Sequence, residues 1–177
     1  MSQEKEMDLI LSQFDAELFL NEEYNEANET ERVLMPQGWL PACRIVDLDI
    51  IRPRLLRDNE GKDFWTSPQL HPTFVIDDEG TRELLNTREG VELKFRPRIF
   101  LDLAPDTGGL DFGANRNLIL GQLREAMGQN VPGQPWSVAN LRDGPPVNIL
   151  VKHRAMKNNP DIIMEEVSRF AAVDSEE

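Results

Sequence analysis

The sequence predicts a mainly β protein, with five strands, one helix between the third and fourth strands, and an acidic N-terminal arm. Three observations carry this. Apolar and polar residues alternate with period two along the body, most clearly from Val91 to Leu103. Within the body, the stretch from Asn115 to Met127 carries the helical signal. Charge is segregated, with ten Asp or Glu against one Lys in residues 1–31, and sixteen acidic against sixteen basic residues between Arg44 and Lys157.

Residues 1–35 read as the arm. Met7, Ile10, Leu11, Phe14 and Leu18 recur at helical spacing, so a short amphipathic helix is expected there. Phe19, Leu20 and Tyr24 prolong the apolar signal, and an acidic polar spacer follows. The arm either docks on its own domain or serves another subunit or partner.

Residues 36–173 form the expected domain. Pro36-Gln37-Gly38 is a turn that opens it. Trp39 to Arg52 is a long first strand whose imperfect alternation suits a strand that bends and changes partners. Pro53 ends it, and Arg54 to Asp63 reads as a polar loop. Leu70 to Ile76 is the second strand, with Pro68 and Pro72 marking an edge. Asp77-Asp78-Glu79-Gly80 reads as a break.

The third strand sets Val91, Leu93, Phe95, Ile99, Leu101 and Leu103 on the core face. Lys94, Arg96, Arg98 and Phe100 fall on the other face. A loop leads to the helix, whose stripe is Ile119, Leu120, Leu123, Ala126 and Met127, with Gly128 as its stop. Strands four and five follow at Val147 to Arg154 and Ile162 to about Val173. Residues 174–177 are a short acidic tail. This order matches an OB-fold-like barrel, whose second and third strands present the nucleic-acid face.

Composition excludes several functions. The longest apolar runs are a few residues, so no membrane span is expected. Cys43 alone forms no intramolecular disulfide, and His71 and His153 leave little for a metal centre or a His-based triad. No phosphate-cradling glycine loop and no nucleophile elbow occur. We expect no enzyme, no cofactor, no metal site and no catalytic residue.

A basic and aromatic set remains. Single-stranded nucleic acid is held by cations for phosphates and aromatic platforms for bases. Lys94, Arg96, Arg98 and Phe100 supply both on one strand. Arg52, Arg54, Lys62 and Trp65 flank the loop after the first strand, and Lys152 and Arg154 close the fourth. The competing reading is that charges alternate outward on any half-buried strand. Trp39 and Trp136 are expected to pack against the barrel.

Several segments also form a pattern: the leader Phe14 to Leu20; the opening Met35-Pro36-Gln37-Gly38-Trp39-Leu40-Pro41-Ala42; Ile99-Phe100-Leu101-Asp102-Leu103; Gly113-Ala114-Asn115-Arg116-Asn117-Leu118; Gly128-Gln129-Asn130-Val131-Pro132-Gly133; Gly144; Val147 to Arg154; and Glu165-Glu166-Val167. In combination they resemble small tailed-phage proteins similar to OB-fold single-stranded DNA-binding proteins. The resemblance spans residues 14–173 and implies single-stranded DNA as ligand, a role in DNA replication or recombination, and a place in the host cytoplasm. It implies replication or recombination proteins as further partners through the acidic ends, and it is compatible with a homo-oligomer. One departure stands out: the chain ends in Asp174-Ser175-Glu176-Glu177, without the aromatic cap that such tails carry. The rival expectation is a virion structural or decoration protein.

Overall fold

The computed structural model describes residues 12–28, 30 and 32–174. The chain divides into two units, Met1–Val33 and Leu34–Glu177. In the first, helix α1 spans Ala16–Asn21. The Asp15 carboxylate caps it, accepting from the N–H groups of Glu17 and Leu18 at 3.0 Å each. Phe14 and Phe19 rest against each other at 5.4 Å, and Phe14, Leu18, Phe19, Leu20 and Tyr24 are exposed. The expected helix positions Met7, Ile10 and Leu11 lie outside the described residues.

Among the described residues, the second unit is built on eight strands: β1 (Gly38–Ile51), β2 (Leu55–Arg57), β3 (Asp63–Trp65), β4 (Gln69–Ile76), β5 (Leu93–Phe95), β6 (Ile99–Phe100), β7 (Val147–Ala155) and β8 (Ile163–Ala172). Its helices are α2 (Glu79–Leu84) and α3 (Leu118–Ala126), with a 3-10 turn at Val138–Asp143. Six strands form one antiparallel sheet in the order β5-β4-β1-β7-β8, with β6 also paired to β4. β2 and β3 form a separate two-stranded ribbon.

β1 holds the sheet together. Its first half pairs with β7, from Gly38↔Val151 to Cys43↔Val147. Its second half pairs with β4, from Arg44↔Val75 to Ile51↔Gln69. Register shifts at Leu40/Cys43 and Ile45/Asp47 separate and bend these halves. At the first shift Ala42 adopts φ +48°, and its N–H donates to Asn148 Oδ1 at 2.9 Å. The bulges are the physical reason for the broken alternation in this segment.

One core fills the inside of the bent sheet. Leu40, Cys43 and Ile45 of β1 meet Leu70, Phe74 and Ile76 of β4 and Val147, Ile149 and Val151 of β7. Leu120, Leu123 and Met127 close the core from α3, as the helical stripe predicts. Gly128 follows at φ +71°, a conformation that favours glycine after a helix end. Burial pushes the Cys43 thiol up to about 12, with the carboxylates of Asp78 and Asp77 adding to the shift. At neutral pH it is a protonated core residue, not a nucleophile.

Several expectations need correction. The sheet is not a closed barrel: among the described residues, no pairing joins β8 to β5 or β6. The third strand is not continuous but is split into β5 and β6 around Pro97. Continuing the register from Phe74↔Phe95 and Leu70↔Ile99 sets Pro72 opposite Pro97. Neither proline has an N–H, so the ladder opens there. β4 is not an edge strand, since β1 lies on one side and β5 and β6 on the other. Its proline is tolerated because it faces that gap. The Asp77–Gly80 break is instead the start of α2, where Asp78 accepts from the N–H and hydroxyl of Thr81 at 2.9 and 2.7 Å. Those bonds hold the Asp78 carboxyl below its usual range. The polar loop after β1 contains the β2–β3 ribbon, and the main helix spans Leu118–Ala126 within the wider predicted stretch. Trp136 packs against the core, but Trp39 is 45% exposed.

Candidate nucleic-acid interface

The outward row of the interrupted third strand is present. Phe95, Pro97, Ile99 and Leu101 are buried, whereas Lys94, Arg96, Arg98 and Phe100 are exposed. Phe100 is 60% exposed. Alternation alone would leave a polar residue there, because an outward phenyl ring forfeits the burial that stabilises it elsewhere. Val91 and Leu103, at the ends of the predicted run, lie outside β5 and β6 and are exposed.

The rest of the face comes from neighbouring strands. On β4, Leu70, Pro72 and Phe74 point inward and Gln69, His71 and Thr73 outward. On β1, Ile51, Asp49 and Asp47 sit across from these three. A row therefore runs from Asp49 through His71 towards Arg96 and Arg98. Arg96 Nη2 donates to Asp49 Oδ2 at 2.7 Å, and His71 Nε2 lies 2.8 Å from Gln69 Oε1. The His71 imidazole titrates below its ordinary range, chiefly through burial and then through the Arg96 and Arg98 charges, with Asp49 opposing. Sequence reasoning missed His71 and Asp49. The signal was the alternation through β4, which places His71 opposite to its buried neighbours.

The cations differ in how they are held. Lys94 lies 3.8 Å from Glu92, and Arg154 lies 3.3 Å from Glu166. These are exposed pairs, each worth about 0–1 kcal/mol, so a phosphate can replace the carboxylate at small cost. Arg98 Nη2 points at Met164 Sδ, 3.6 Å away on β8. Among the described residues, Arg52, Arg54, Lys62 and Lys152 make no ion pair.

Trp65 is 68% exposed on the β2–β3 ribbon, paired with Leu55, while Phe64 pairs with Leu56. Cross-strand partners share a face, so each ribbon face carries an apolar pair. Arg57 and Asp63 close the ribbon with an ion pair at 3.0 Å. The ribbon leads into β4 within four residues of Trp65, which limits that residue to about 14 Å from Gln69, the partner of Phe100.

Arg98, Phe100 and Arg154 also line one cleft of about 500 Å³ between β6 and β8. The structure thus brings Arg98, Phe100 and Arg154 together, and Lys94 and Arg96 continue the same outward row. Arg52, Arg54, Lys62 and Trp65 gather on and beside the ribbon. Lys152 is exposed on β7, across from Glu166.

No helix among the described residues is long and apolar enough to cross a membrane. No group of three or more His, Cys, Asp or Glu among them is placed to hold a metal ion. Comparison with family models, with curated proteins and with solved structures gives no match.

Proposed function

We propose that this protein binds single-stranded DNA with little sequence preference, through an OB-type body, and serves phage DNA replication or recombination without a catalytic step of its own. The observation that carries the reading is the exposed row Lys94, Arg96, Arg98 and Phe100, three cations followed by an unburied aromatic on one sheet face. Alternate residues along a strand stand roughly 6.5–7 Å apart, close to the spacing of phosphates in an extended strand. Cations and stacking platforms are the two means by which proteins hold single strands.

The strand order supports the OB-type reading. Taking β5 and β6 as one interrupted strand, the order is third, second, first, fourth, fifth, with the helix between the third and fourth. β1 serves both halves of the sheet, as a partly open barrel requires. In OB-folds the second and third strands and the loops after the first and fourth strands contact oligonucleotides. By that correspondence the row lies on the binding face and the β2–β3 ribbon lies in the first of those loops.

The test is a titration of fluorescent oligo-dT at two salt concentrations. Binding that weakens steeply with salt supports the proposal. Absence of binding at low salt removes it. A second reading, a virion structural protein, draws on the exposed Phe14, Leu18, Phe19, Leu20 and Tyr24 of the arm. Co-purification with particles, without oligonucleotide binding, would favour it.

A further inference from the structure

Trp39, near the start of β1, is exposed on the outward face of the sheet. Its cross-strand partner is Leu150 on β7, and Leu150 in turn faces Arg169 on β8. Val147, Ile149 and Val151 of β7 are buried, so Leu150, Lys152 and Arg154 share the outward face with Trp39. Outward residues of one strand recur roughly every 6.5–7 Å. Lys152 therefore stands about 7 Å, and Arg154 about 14 Å, along β7 from the position beside Trp39.

This line continues into the row of the third strand. Arg154 pairs across with Met164, and Met164 Sδ lies 3.6 Å from Arg98 Nη2. Arg98, Phe100 and Arg154 line one cleft, so Arg154 follows Arg98 across the gap where the sheet stays open. The charges along this line suit a polyanion. On the outward faces of β7 and β8, Lys152, Arg154 and Arg169 stand with one carboxylate, Glu166, among the described residues, and Glu166 pairs with Arg154. The other acids of the cleft are held elsewhere: Glu165 accepts from Met35 N–H and Asp102 from Asn117 N–H. An exposed indole by itself is ordinary. An indole at the end of a line of cations spaced like phosphates has the form of a stacking platform.

We propose that single-stranded DNA leaves the row at Arg98, crosses the gap onto Arg154 and Lys152, and stacks a base on Trp39. The proposal rests on the single-stranded DNA reading and deepens it. It gives the strand a path over both halves of the sheet and a second aromatic contact at the far end. Phe100 and Trp39 hold bases at two points of one strand. Lys152, which makes no ion pair among the described residues, takes a phosphate between them. The cations Lys94, Arg96, Arg98, Arg154 and Lys152, at one phosphate each, call for a strand of about six nucleotides or more.

The experiment titrates the full chain with oligo-dT of about twelve nucleotides, twice that length. Each variant is checked for folding by thermal melting. Trp39→Ala should weaken binding about fivefold to hundredfold with the salt slope nearly unchanged, and Trp39→Phe should restore most of the loss. Lys152→Ala should weaken binding and lower the salt slope by about 0.7. Lys152 is an exposed strand residue, so this variant decides the matter if Trp39→Ala does not fold. Failure of the parent protein to bind at low salt overturns the DNA reading itself. Unchanged binding in Lys152→Ala, or in a folded Trp39→Ala, overturns the path and leaves the DNA reading standing. A folded Trp39→Ala protein that binds like the parent but changes its oligomeric state in light scattering also overturns it, and gives this face to a second copy of the chain.

Discussion

Phe74 on β4 and Phe170 on β8 touch inside the core, their ring centroids 5.8 Å apart, although β1 and β7 lie between their strands. In a flat sheet three strand spacings would hold them roughly 14 Å apart. The sheet must therefore curl strongly, and the two bulges in β1 are where it bends. Arg98 and Met164 extend the point. They sit beside β6 and on β8, at opposite edges of the sheet, yet approach to 3.6 Å. The edges meet through side chains without a hydrogen-bonded ladder, and the candidate cleft is the space left between them.

Removing either ring should open this curl. Phe170→Ala is expected to cost about 3–5 kcal/mol, the usual range for a buried phenylalanine. Phe170→Leu should cost much less, because it keeps most of the apolar contact. Urea denaturation of both variants measures the difference. Near-equal, small losses would mean that the ring contact does not hold the sheet edges together.

The local parts of the fold were legible and the long-range parts were not. Leu120, Leu123 and Met127 announced the core stripe of α3 by their spacing, and Phe95, Ile99 and Leu101 announced the inward face of the third strand. Pro72 misled, since a proline reads as an edge when its neighbour is unknown, and the third strand is expected to run on through Pro97, where it breaks. Only the register shows that the two oppose each other, sharing a single gap in the ladder. The pairing of Arg96 with Asp49 was equally hidden, because it joins residues 47 positions apart. Exposure of Phe100 was readable from alternation, whereas the cleft beside it depends on how far the sheet curls.

Two motif segments singled out in the sequence are fastened to each other. Asp102 N–H donates to Asn117 Oδ1 at 2.8 Å, Asn117 N–H donates to Asp102 Oδ2 at 2.9 Å, and Asn117 Nδ2 donates to the carbonyls of Asp102 and Asp111 at 2.8 and 2.9 Å. Asn117 does this at φ +49°, where a β-carbon is strained and asparagine is tolerated. Asn117→Gly loses the three side-chain bonds, keeps the backbone N–H donation to Asp102 and relieves the backbone, and should cost about 1–3 kcal/mol. Asn117→Ala loses the same three side-chain bonds and keeps the strain, and should cost more. Chemical denaturation of the pair separates the two effects, and equal stabilities would show that strain plays no part.

His71 should make stability and, on the DNA reading, oligonucleotide binding depend on pH in opposite ways. Its folded pKa is lowered by burial and by Arg96 and Arg98, with Asp49 opposing and Gln69 as hydrogen-bond partner. A lowered pKa means that the unfolded chain binds the proton more readily. Its contribution to stability is therefore fully present above the unfolded value, about 6.5, and is lost as pH falls through the folded value. His71→Gln should flatten this part of the profile in thermal melts between pH 8 and 5. Bound phosphate on Arg96 and Arg98 would offset their charge and favour the imidazolium. Oligonucleotide affinity should then rise as pH falls below about 6.5 in the parent protein more than in His71→Gln. Parallel pH profiles for the two proteins would place the phosphates away from His71.

Asp49 should act as a brake on DNA binding through Arg96. Their 2.7 Å pair occupies one of the three cations in the row, and a phosphate must displace the carboxylate to use it. Both side chains are about half exposed, so the pair itself is weak. Asp49→Asn should tighten oligo-dT binding by an amount equivalent to about 0.2–1 kcal/mol, with the gain shrinking as salt screens the charges. Arg96→Ala should weaken binding and lower the salt slope by about 0.7, the value for one phosphate on a single strand. The double variant decides the route. If Asp49 works by holding Arg96, Asp49→Asn gains little once Arg96 is gone, and the two changes are not additive. If Asp49 simply repels DNA, its gain persists in the Arg96→Ala background. Phe100→Ala is the internal contrast: it should cost about 1–3 kcal/mol with the salt slope nearly unchanged, because stacking releases no counterions. A Phe100→Ala protein that stays folded and binds with undiminished affinity would remove the aromatic from the interface, and with it the observation on which the DNA reading stands.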